Sequence, residues 1–519
     1  MSLVGAIGRK LDDWLNPIAV KELRQAVQAK LIAGLLLLFL VGLLVTTLAM
    51  ASARSGRGYD AESTGGDVFI VLYGILLGTC TVLVPAYCGG RLTAERSGAH
   101  ADLLFATALR PRSIVWGKFS SGLILIVLIY SACAPFLTLT YLLRGIDMSV
   151  IFILLGFGLV LGALSLMSAL FLACVPTTNP LRGLLGLVWL GLTFYLLLYF
   201  MRGAIGFIEY GGGVLGSVFW VVVVTPTVFA LIATGFLFVV SVTLMSPPSA
   251  NRIMPLRVYV TIAWLLTGTG AYLTLQSIEW VALPFGWATF CIIMFCGALL
   301  VAVSERDRIG PRITRTIPRS SLLRPVAFLF YTGSARGVLW SCLMLGLTLF
   351  ALHHFDGTAL STRLYPRAVV DERTPRMLGL AVYAFAYAMT GYVLQRYLVP
   401  RAGTGQTWML ALCVAAVAFL LPIGSQLLQS DPFRDRQMSP LWALGTPMLV
   451  FDDDYRDAAM TFSQAWAVIV FLLALPRLWR QVAAFQPLGS SRPAAAREQA
   501  AGAPSAVVEA QIEPEAGPS

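Results

Sequence analysis

The sequence predicts an all-α, polytopic integral membrane protein with about 12 transmembrane helices in a 6+6 arrangement and both termini in the cytoplasm. Three observations lead to this prediction. Hydrophobic residues make up 58% of the 519 residues and charged residues only 12%, about half the charged share of a soluble domain. The apolar residues fall into stretches of about 20 residues, which is the length that a helix needs to cross a bilayer. The basic residues concentrate in alternate connections between these stretches.

The apolar stretches define twelve spans in chain order. Their approximate limits are 31–51, 68–87, 121–143, 150–174, 183–201, 218–244, 258–275, 284–303, 338–353, 378–398, 407–423 and 460–476. Ser246-Pro247-Pro248-Ser249 interrupts the series and separates two halves. We therefore predict five segments: an amphipathic helix at 1–30, a six-span domain at 31–245, a linker at 246–257, a second six-span domain at 258–480 and a disordered cytoplasmic tail at 481–519.

The distribution of charge sets the orientation. With the N-terminus in the cytoplasm, the segments on that side hold 26 of the 37 Lys and Arg residues but only 11 of the 26 Asp and Glu residues. This is the positive-inside pattern, and it predicts a multi-pass protein of the cell (inner or plasma) membrane in contact with anionic lipid. Because the basic residues are dispersed among many connections, the net charge of +11 does not indicate binding to nucleic acid.

Several classes of protein are disfavoured by what the spans contain. The eight cysteines all lie in or beside spans and the three histidines are scattered, so the sequence predicts neither a disulfide framework nor a metal centre. The span interiors contain no Asp, Glu or Lys, which counts against an ion-coupled carrier. The chain also lacks the phosphate-binding pattern G-x-x-x-x-G-K-[ST]. We assign no catalytic, cofactor-binding or metal-binding residue.

The segment before the first span has the features of a helix that lies along the cytoplasmic surface. Asn16 is suited to cap this helix and Pro17 to its first turn. Polar and apolar residues then alternate at helical spacing, as expected for an interfacial helix. The residues that define the segment are Asn16, Pro17, Lys21, Glu22, Leu23 and Arg24.

The connection between the second and third spans combines an apolar patch with charged residues. Leu103 and Leu104 supply apolar surface, and charged side chains lie on both sides of them. The residues that we single out are Glu95, Arg96, Asp102, Leu103, Leu104, Thr107, Leu109, Pro111, Gly117 and Lys118.

These two segments resemble patterns found in the transmembrane (permease) subunit of ABC transporters of the type-2 exporter family. The first resembles N-P-x-x-x-K-E-L-R, and the second resembles E-x-x-x-G-T-x-E-L-L-x-x-T-P-L-S-P-x-x-I-x-x-G-K. The chain has Ala99-His100 in place of Gly-Thr and Ala108 in place of the first Pro. The second half of the chain has no comparable match.

The resemblance implies that the connection between spans two and three forms a short cytoplasmic helix that docks onto a separate nucleotide-binding ATPase subunit. Leu103 and Leu104 would then supply the docking surface, and the charged residues around them a rim that fixes the register of the partner. ATP and Mg would then be bound by that partner, and this chain would not itself be an enzyme. The family works as a dimer, so we expect a homo- or heterodimer unless one chain supplies both halves of the pathway.

Two alternatives remain open at this point. Asp452-Asp453-Asp454 lies on the predicted external side, where carboxylates can bind Ca²⁺ or Mg²⁺, as in a polytopic membrane enzyme of the lipid-linked glycosyltransferase kind. The chain can also be a membrane scaffold that does not transport. The arginine-rich connection 304–337 is interpreted as a determinant of topology, with a second ATPase contact as the other interpretation.

Overall fold

The structure, a computed structural model, describes residues 20–487 except for 23, 26–29, 56–63, 98–110, 143–145, 177–178, 210–222, 248–249, 279–281, 308–309, 362–366, 401–405 and 429–443. Within the described residues every regular element is helical. Ten of these helices are long and apolar enough to cross a membrane. The predicted all-α, multi-pass membrane architecture is therefore confirmed.

The chain forms fifteen α-helices in the described residues. They are α1 (Lys30–Ser55), α2 (Thr64–Gly78), α3 (Val84–Ser97), α4 (Pro111–Leu142), α5 (Met148–Cys174), α6 (Asn179–Glu209), α7 (Thr225–Met245), α8 (Met254–Ile278), α9 (Ala282–Ala302), α10 (Pro311–Thr314), α11 (Leu323–Phe330), α12 (Ser334–Ser361), α13 (Arg367–Val393), α14 (Thr407–Leu428) and α15 (Arg456–Ala483). A π-turn at Thr79–Leu83 joins α2 to α3, a second π-turn at Leu394–Leu398 extends α13, and a 3₁₀ turn at Pro447–Phe451 precedes α15.

Each of the twelve predicted spans coincides with a helix. Among the described residues, ten helices are long and apolar enough to cross a membrane, and α1 and α14 contain the shorter described apolar stretches Phe39–Ala49 and Thr407–Leu420. The whole helices are 26 and 22 residues long. Ten spans are therefore supported, and α1 and α14 as the other two spans stay a prediction.

The helices pack as two compact units. Unit 1 comprises Met1–Pro248 and Arg252–Ile278, and unit 2 comprises Ser249–Asn251 and Glu279–Ser519. Helix α8, predicted as the first span of the second half, packs against α7. The hydroxyl of Tyr259 in α8 donates a hydrogen bond of 2.8 Å to the carbonyl oxygen of Ile232 in α7. By packing, α8 therefore groups with unit 1.

In unit 1, side chains cross between helices to bond with backbone carbonyls. The hydroxyl of Tyr73 in α2 donates to the carbonyl oxygen of Leu154 in α5 at 2.9 Å. Ser165 in α5 donates to the carbonyl oxygen of Thr81, which lies in the first π-turn. Because a bilayer offers no water to satisfy such groups, these bonds stabilise the contact of α5 with the helix that α2 and α3 form.

Helices α3 and α5 approach each other closely at Gly89. A Cβ atom at this position would lie 3.1 Å from the carbonyl oxygen of Ala169 and 3.2 Å from its Cβ. Small residues allow helix backbones in membranes to pack this closely. Gly90, the next residue along the chain, has open space around the position that its Cβ would take.

The two units share a pattern of neighbouring helices. In unit 1, α5 packs against α3, α4, α6 and α7, and α4 packs against α2, α3 and α7. In unit 2, α13 packs against α9, α12, α14 and α15, and α12 packs against α9 and α15. Helix α6 also contacts α2, as α14 contacts α9. Taking α9, α12, α13, α14 and α15 as counterparts of α2–α3, α4, α5, α6 and α7 reproduces each of these neighbours.

The close contact at Gly89 predicts a paired result. Gly89→Val should lower the thermal unfolding temperature of the purified chain, because its side chain would push α3 away from the backbone of α5; overpacking of this kind costs about 1–3 kcal/mol. Gly90→Val, a matched control in open space, should leave that temperature within the error of the wild type. Differential scanning fluorimetry in detergent measures both. Equal effects of the two variants would contradict the close packing of α3 on α5.

Candidate functional site

A buried lysine in unit 1 lies between two carboxylates that come from distant parts of the chain. Lys118 lies two turns into α4, and its side chain is 7% exposed. Its Nζ atom lies 2.8 Å from Oε1 of Glu22 and 2.8 Å from Oε2 of Glu95. Glu22 belongs to the helical residues that precede α1, and Glu95 lies in the last turn of α3. Three separate segments therefore meet at one ammonium group, which we call the Lys118 cluster.

Arg91 adds a second cation to the Lys118 cluster. One of its guanidinium nitrogens, Nη2, donates to Oε1 of Gln25 at 2.8 Å and lies 3.8 Å from Oε2 of Glu22. The other, Nη1, donates to the hydroxyl of Tyr87 at 3.2 Å. The charges of two glutamates, one lysine and one arginine then balance, which limits the cost of placing ions at the edge of an apolar bundle.

Arg96 fixes the end of α3 to the end of α5. Its Nη1 atom donates a hydrogen bond of 2.8 Å to the carbonyl oxygen of Ala173, one residue before α5 ends at Cys174. Carbonyls in the last turn of a helix lack partners within that helix, and cations are stabilised near them. The bond therefore holds the C-terminal end of α3 against α5. The connection 98–110 begins directly after this end of α3.

The residues of the second motif that the structure describes lie on both sides of that connection. Glu95 and Arg96 lie at the end of α3, Pro111 is the first residue of α4, and Gly117 is buried beside Lys118. The ends of the connection are therefore held by ion pairs and by packing. The predicted docking residues Asp102, Leu103, Leu104, Thr107 and Leu109 lie outside the described residues.

The residues of the first motif divide in the same way. Glu22 enters the Lys118 cluster, whereas Lys21 and Arg24 are exposed. This division is expected of a helix with one face against the bundle and one face away from it. Asn16, Pro17 and Leu23 lie outside the described residues.

Unit 2 contains a partly buried polar cluster where α9 ends and α12 begins. Asp307 accepts two hydrogen bonds from Arg396, at 3.0 Å from Nε and 3.1 Å from Nη2, and a third from the hydroxyl of Ser334 at 2.6 Å. Gln481, at the end of α15, accepts from the backbone nitrogen of Ala335 at 3.0 Å and donates to Ser334 at 2.9 Å. Bidentate arginine–carboxylate pairs are among the stronger polar contacts in proteins.

The turn into α12 depends on a glycine and a buried arginine. Gly333 has φ of +147°, a region that side chains disfavour, and its nitrogen donates to Oε2 of Glu305 at 2.7 Å. Arg336 is fully buried, donates to the carbonyl oxygen of Thr332 and lies over the ring of Phe485 at 4.8 Å. The start of α12 is therefore fixed to the segment that follows α9.

The aspartates singled out as an alternative site are partly engaged with arginines. Asp453 lies 3.1 Å from Nη2 of Arg376 in α13 and also pairs with Arg456 at the start of α15. Asp452 accepts from the backbone nitrogen of Asp454 at 3.2 Å. In the part of the chain that the structure describes, no group of three or more His, Cys, Asp and Glu side chains is placed to hold a metal ion.

Sequence reasoning missed part of both clusters. Arg91, Gln25 and Tyr87 were not singled out, and their contribution follows only from helix packing. In unit 2, the isolated Arg396 within an otherwise apolar span was the available signal, because a charge in such a place usually has a partner. Its partner Asp307 lies 89 residues away in sequence, so the sequence did not identify the pair.

Comparisons with protein-family models, with curated proteins and with solved structures found no match to this chain. The interpretation of the Lys118 cluster therefore depends on its geometry and on the two sequence motifs that contribute to it.

The geometry predicts a measurable role for Lys118. Lys118→Met should lower the free energy of unfolding by up to about 3 kcal/mol, because removal of one member of a buried ion pair leaves the remaining charges uncompensated; the value is at the low end because Glu95 is 34% exposed. The same change should expose residues 20–25 to protease. Lys21→Met, at an exposed neighbour of Glu22, is the matched control. An unchanged unfolding temperature and an unchanged protease pattern in Lys118→Met would contradict a stabilising role of the Lys118 cluster.

Proposed function

We propose that this chain is the transmembrane permease subunit of an ATP-driven exporter of the ABC type, coupled to a separate nucleotide-binding subunit through the connection between α3 and α4. The observation that carries the proposal is the Lys118 cluster. Glu22 comes from the first motif, and Glu95 and Lys118 come from the two ends of the second. The two segments that resemble the same family therefore meet in one ion-pair cluster.

The cluster gives the connection a mechanical role. Its two ends are fixed to each other by Glu95 and Lys118, and to α5 by Arg96. A force applied by a partner to the residues between these ends would therefore move α3, α4 and the N-terminal helix together. Ion-pair networks and rigid helices of this kind carry coupling between distant sites.

The same proposal specifies the partners and the setting of the chain. The nucleotide-binding subunit binds ATP and Mg, and this chain carries out no covalent chemistry. The clusters of both units lie on the cytoplasmic side of the cell membrane, as the positive-inside distribution indicates. The pattern of neighbours that five helices of each unit share supports an internal duplication, in which one chain supplies two halves of a pathway, with α8 grouped with unit 1 instead of with the predicted second six-span half; a homo- or heterodimer is the other arrangement.

The proposal predicts which protein co-purifies with the chain. A tagged wild-type chain, extracted gently in detergent, should bring down a nucleotide-binding ATPase, identified by mass spectrometry. Changing Asp102, Leu103 and Leu104 to Lys, Arg and Arg should abolish this co-purification, because the change removes the apolar docking surface and reverses a charge in its rim. Asp147→Lys, an exposed charge reversal in the connection before α5, is the control. Absence of any ATPase with the wild-type chain would sink the proposal.

A second prediction separates transport coupling from a scaffold that merely binds an ATPase. Glu95→Gln keeps Lys118 paired with Glu22, so the complex should still form. The ATPase rate of the complex in lipid should respond to the permease about fivefold less, a loss within the usual range of coupling energies. Arg24→Gln, on the exposed face of the N-terminal helix, should keep the full response.

The enzyme alternative is tested in the same assay. Changing Asp452, Asp453 and Asp454 to Asn should leave the ATPase response intact if the chain is a permease. A scaffold would give no response in any variant, including the wild type. A response that disappears with the Asn variant, but survives Glu95→Gln, would favour the external acidic residues as the functional site.

A further inference from the structure

Helix α11 in unit 2 and Leu322, the residue directly before it, present apolar side chains away from the protein. Leu322, Leu323 and Val326 are 87%, 60% and 55% exposed. They occupy positions i, i+1 and i+4 and therefore lie along one face of the helix. On the other face Phe328 is buried, with its ring 5.3 Å from that of Phe485. We call Leu322, Leu323 and Val326 the apolar ridge.

The ridge is held in a fixed orientation. Tyr331, directly after α11, packs its ring 5.5 Å from Phe485 and donates to the carbonyl oxygen of Thr316 at 2.6 Å. Arg336 in α12 lies over Phe328 at 5.4 Å. These contacts fix α11 to the first turn of α12 and to the segment after α15. Leu322, Leu323 and Val326 are therefore exposed although the helix that carries them is packed against the rest of unit 2.

The covalent structure places the ridge at the depth of the bilayer surface. Only three residues separate Phe330, the end of α11, from Ser334, the first residue of the membrane-spanning stretch Ser334–Gly357. The nitrogen of Gly333 is bonded to Glu305, which follows the membrane-spanning α9 by three residues. A helix tied this closely to the ends of two spans lies where headgroups meet acyl chains.

The segment that leads into the ridge is basic. Arg312, Arg315 and Arg319 are exposed in the segment before α11. The acidic residues of the same connection face inward, since Glu305 accepts from Gly333 and Asp307 accepts from Arg396 and Ser334. Arginine binds phosphate groups through its planar set of donors. An apolar ridge beside a basic segment is the composition of helices that bind anionic membranes.

We propose that α11 and the arginines before it form a membrane anchor, in which the ridge inserts at the boundary between headgroups and acyl chains while Arg312, Arg315 and Arg319 bind anionic lipid headgroups. The depth of the ridge favours lipid over a protein partner. The proposal is independent of the ATPase partner, because it concerns unit 2 and requires no nucleotide.

The test uses the full chain in lipid nanodiscs. Cys413→Ser removes the exposed cysteine and leaves seven that are buried or half-buried; Leu322→Cys, at an exposed position that should tolerate it, then takes a bimane fluorophore. Discs contain phosphatidylcholine alone or with phosphatidylglycerol, each carrying nitroxide-labelled lipid. We expect the nitroxide to quench the fluorophore, with stronger quenching in the anionic discs. Arg312→Gln, Arg315→Gln and Arg319→Gln together should remove the anionic increment, whereas Arg252→Gln, an exposed arginine of unit 1, should keep it.

Two results would overturn the membrane anchor. The first is a fluorophore that lipid nitroxide does not quench in either kind of disc; if a co-purifying protein then shields this fluorophore, the ridge is a protein-docking surface. The second is loss of the anionic increment in the Arg252→Gln control as well, since the effect would then belong to net charge.

Discussion

A charge at the edge of an apolar bundle is stable only where opposite charge or fixed dipoles surround it, and Lys118 meets this condition through residues that the chain brings from far away. Glu22 lies 96 residues before it, and Glu95 lies on the preceding helix. The N-terminal helix, α3 and α4 therefore have their relative positions fixed by one ammonium group. The connection 98–110 begins and ends on this fixed set of helices, and any function that acts through the connection depends on it.

Unit 2 meets the same condition with different residues. Asp307 and Arg396 pair directly, and Gln481 and Ser334 supply the remaining hydrogen bonds. In both units the cluster lies where one helix leaves the bundle and the next one enters it: the ends of α3 and α4 in unit 1, and the ends of α9 and α12 in unit 2, which hold equivalent places in the pattern of neighbours. The remaining partners differ, because unit 1 adds the N-terminal helix whereas unit 2 adds Arg396 and Gln481. A common packing arrangement can therefore persist although the sequences of the two halves differ, because it requires balanced polar groups at one end and not particular residues.

Packing within the spans explains why these ends stay in register. Gly89 lets the backbones of α3 and α5 come close, and the Ser165 hydroxyl in α5 donates to the carbonyl oxygen of Thr81 in the π-turn before α3. Arg96 then closes the end of the same helix pair. Movement of α3 relative to α5 would break all three contacts together. The connection between α3 and α4 is therefore attached to a stiff pair of helices, which suits transmission of force and would suit a fixed docking platform equally well.

The sequence alone determined that the chain is helical and crosses a membrane many times, because the length and hydropathy of each span are local properties. It also located the segments of the Lys118 cluster, since their residue types and spacing are visible along the chain. Only the tertiary structure decided which charges meet, because Glu22 and Lys118, or Asp307 and Arg396, are adjacent only after the helices pack. The placement of α8 in unit 1, the pairing of Asp453 with Arg376 and the outward orientation of Leu322 were decided in the same way. Each depends on contacts between segments distant in sequence, which local periodicity does not record.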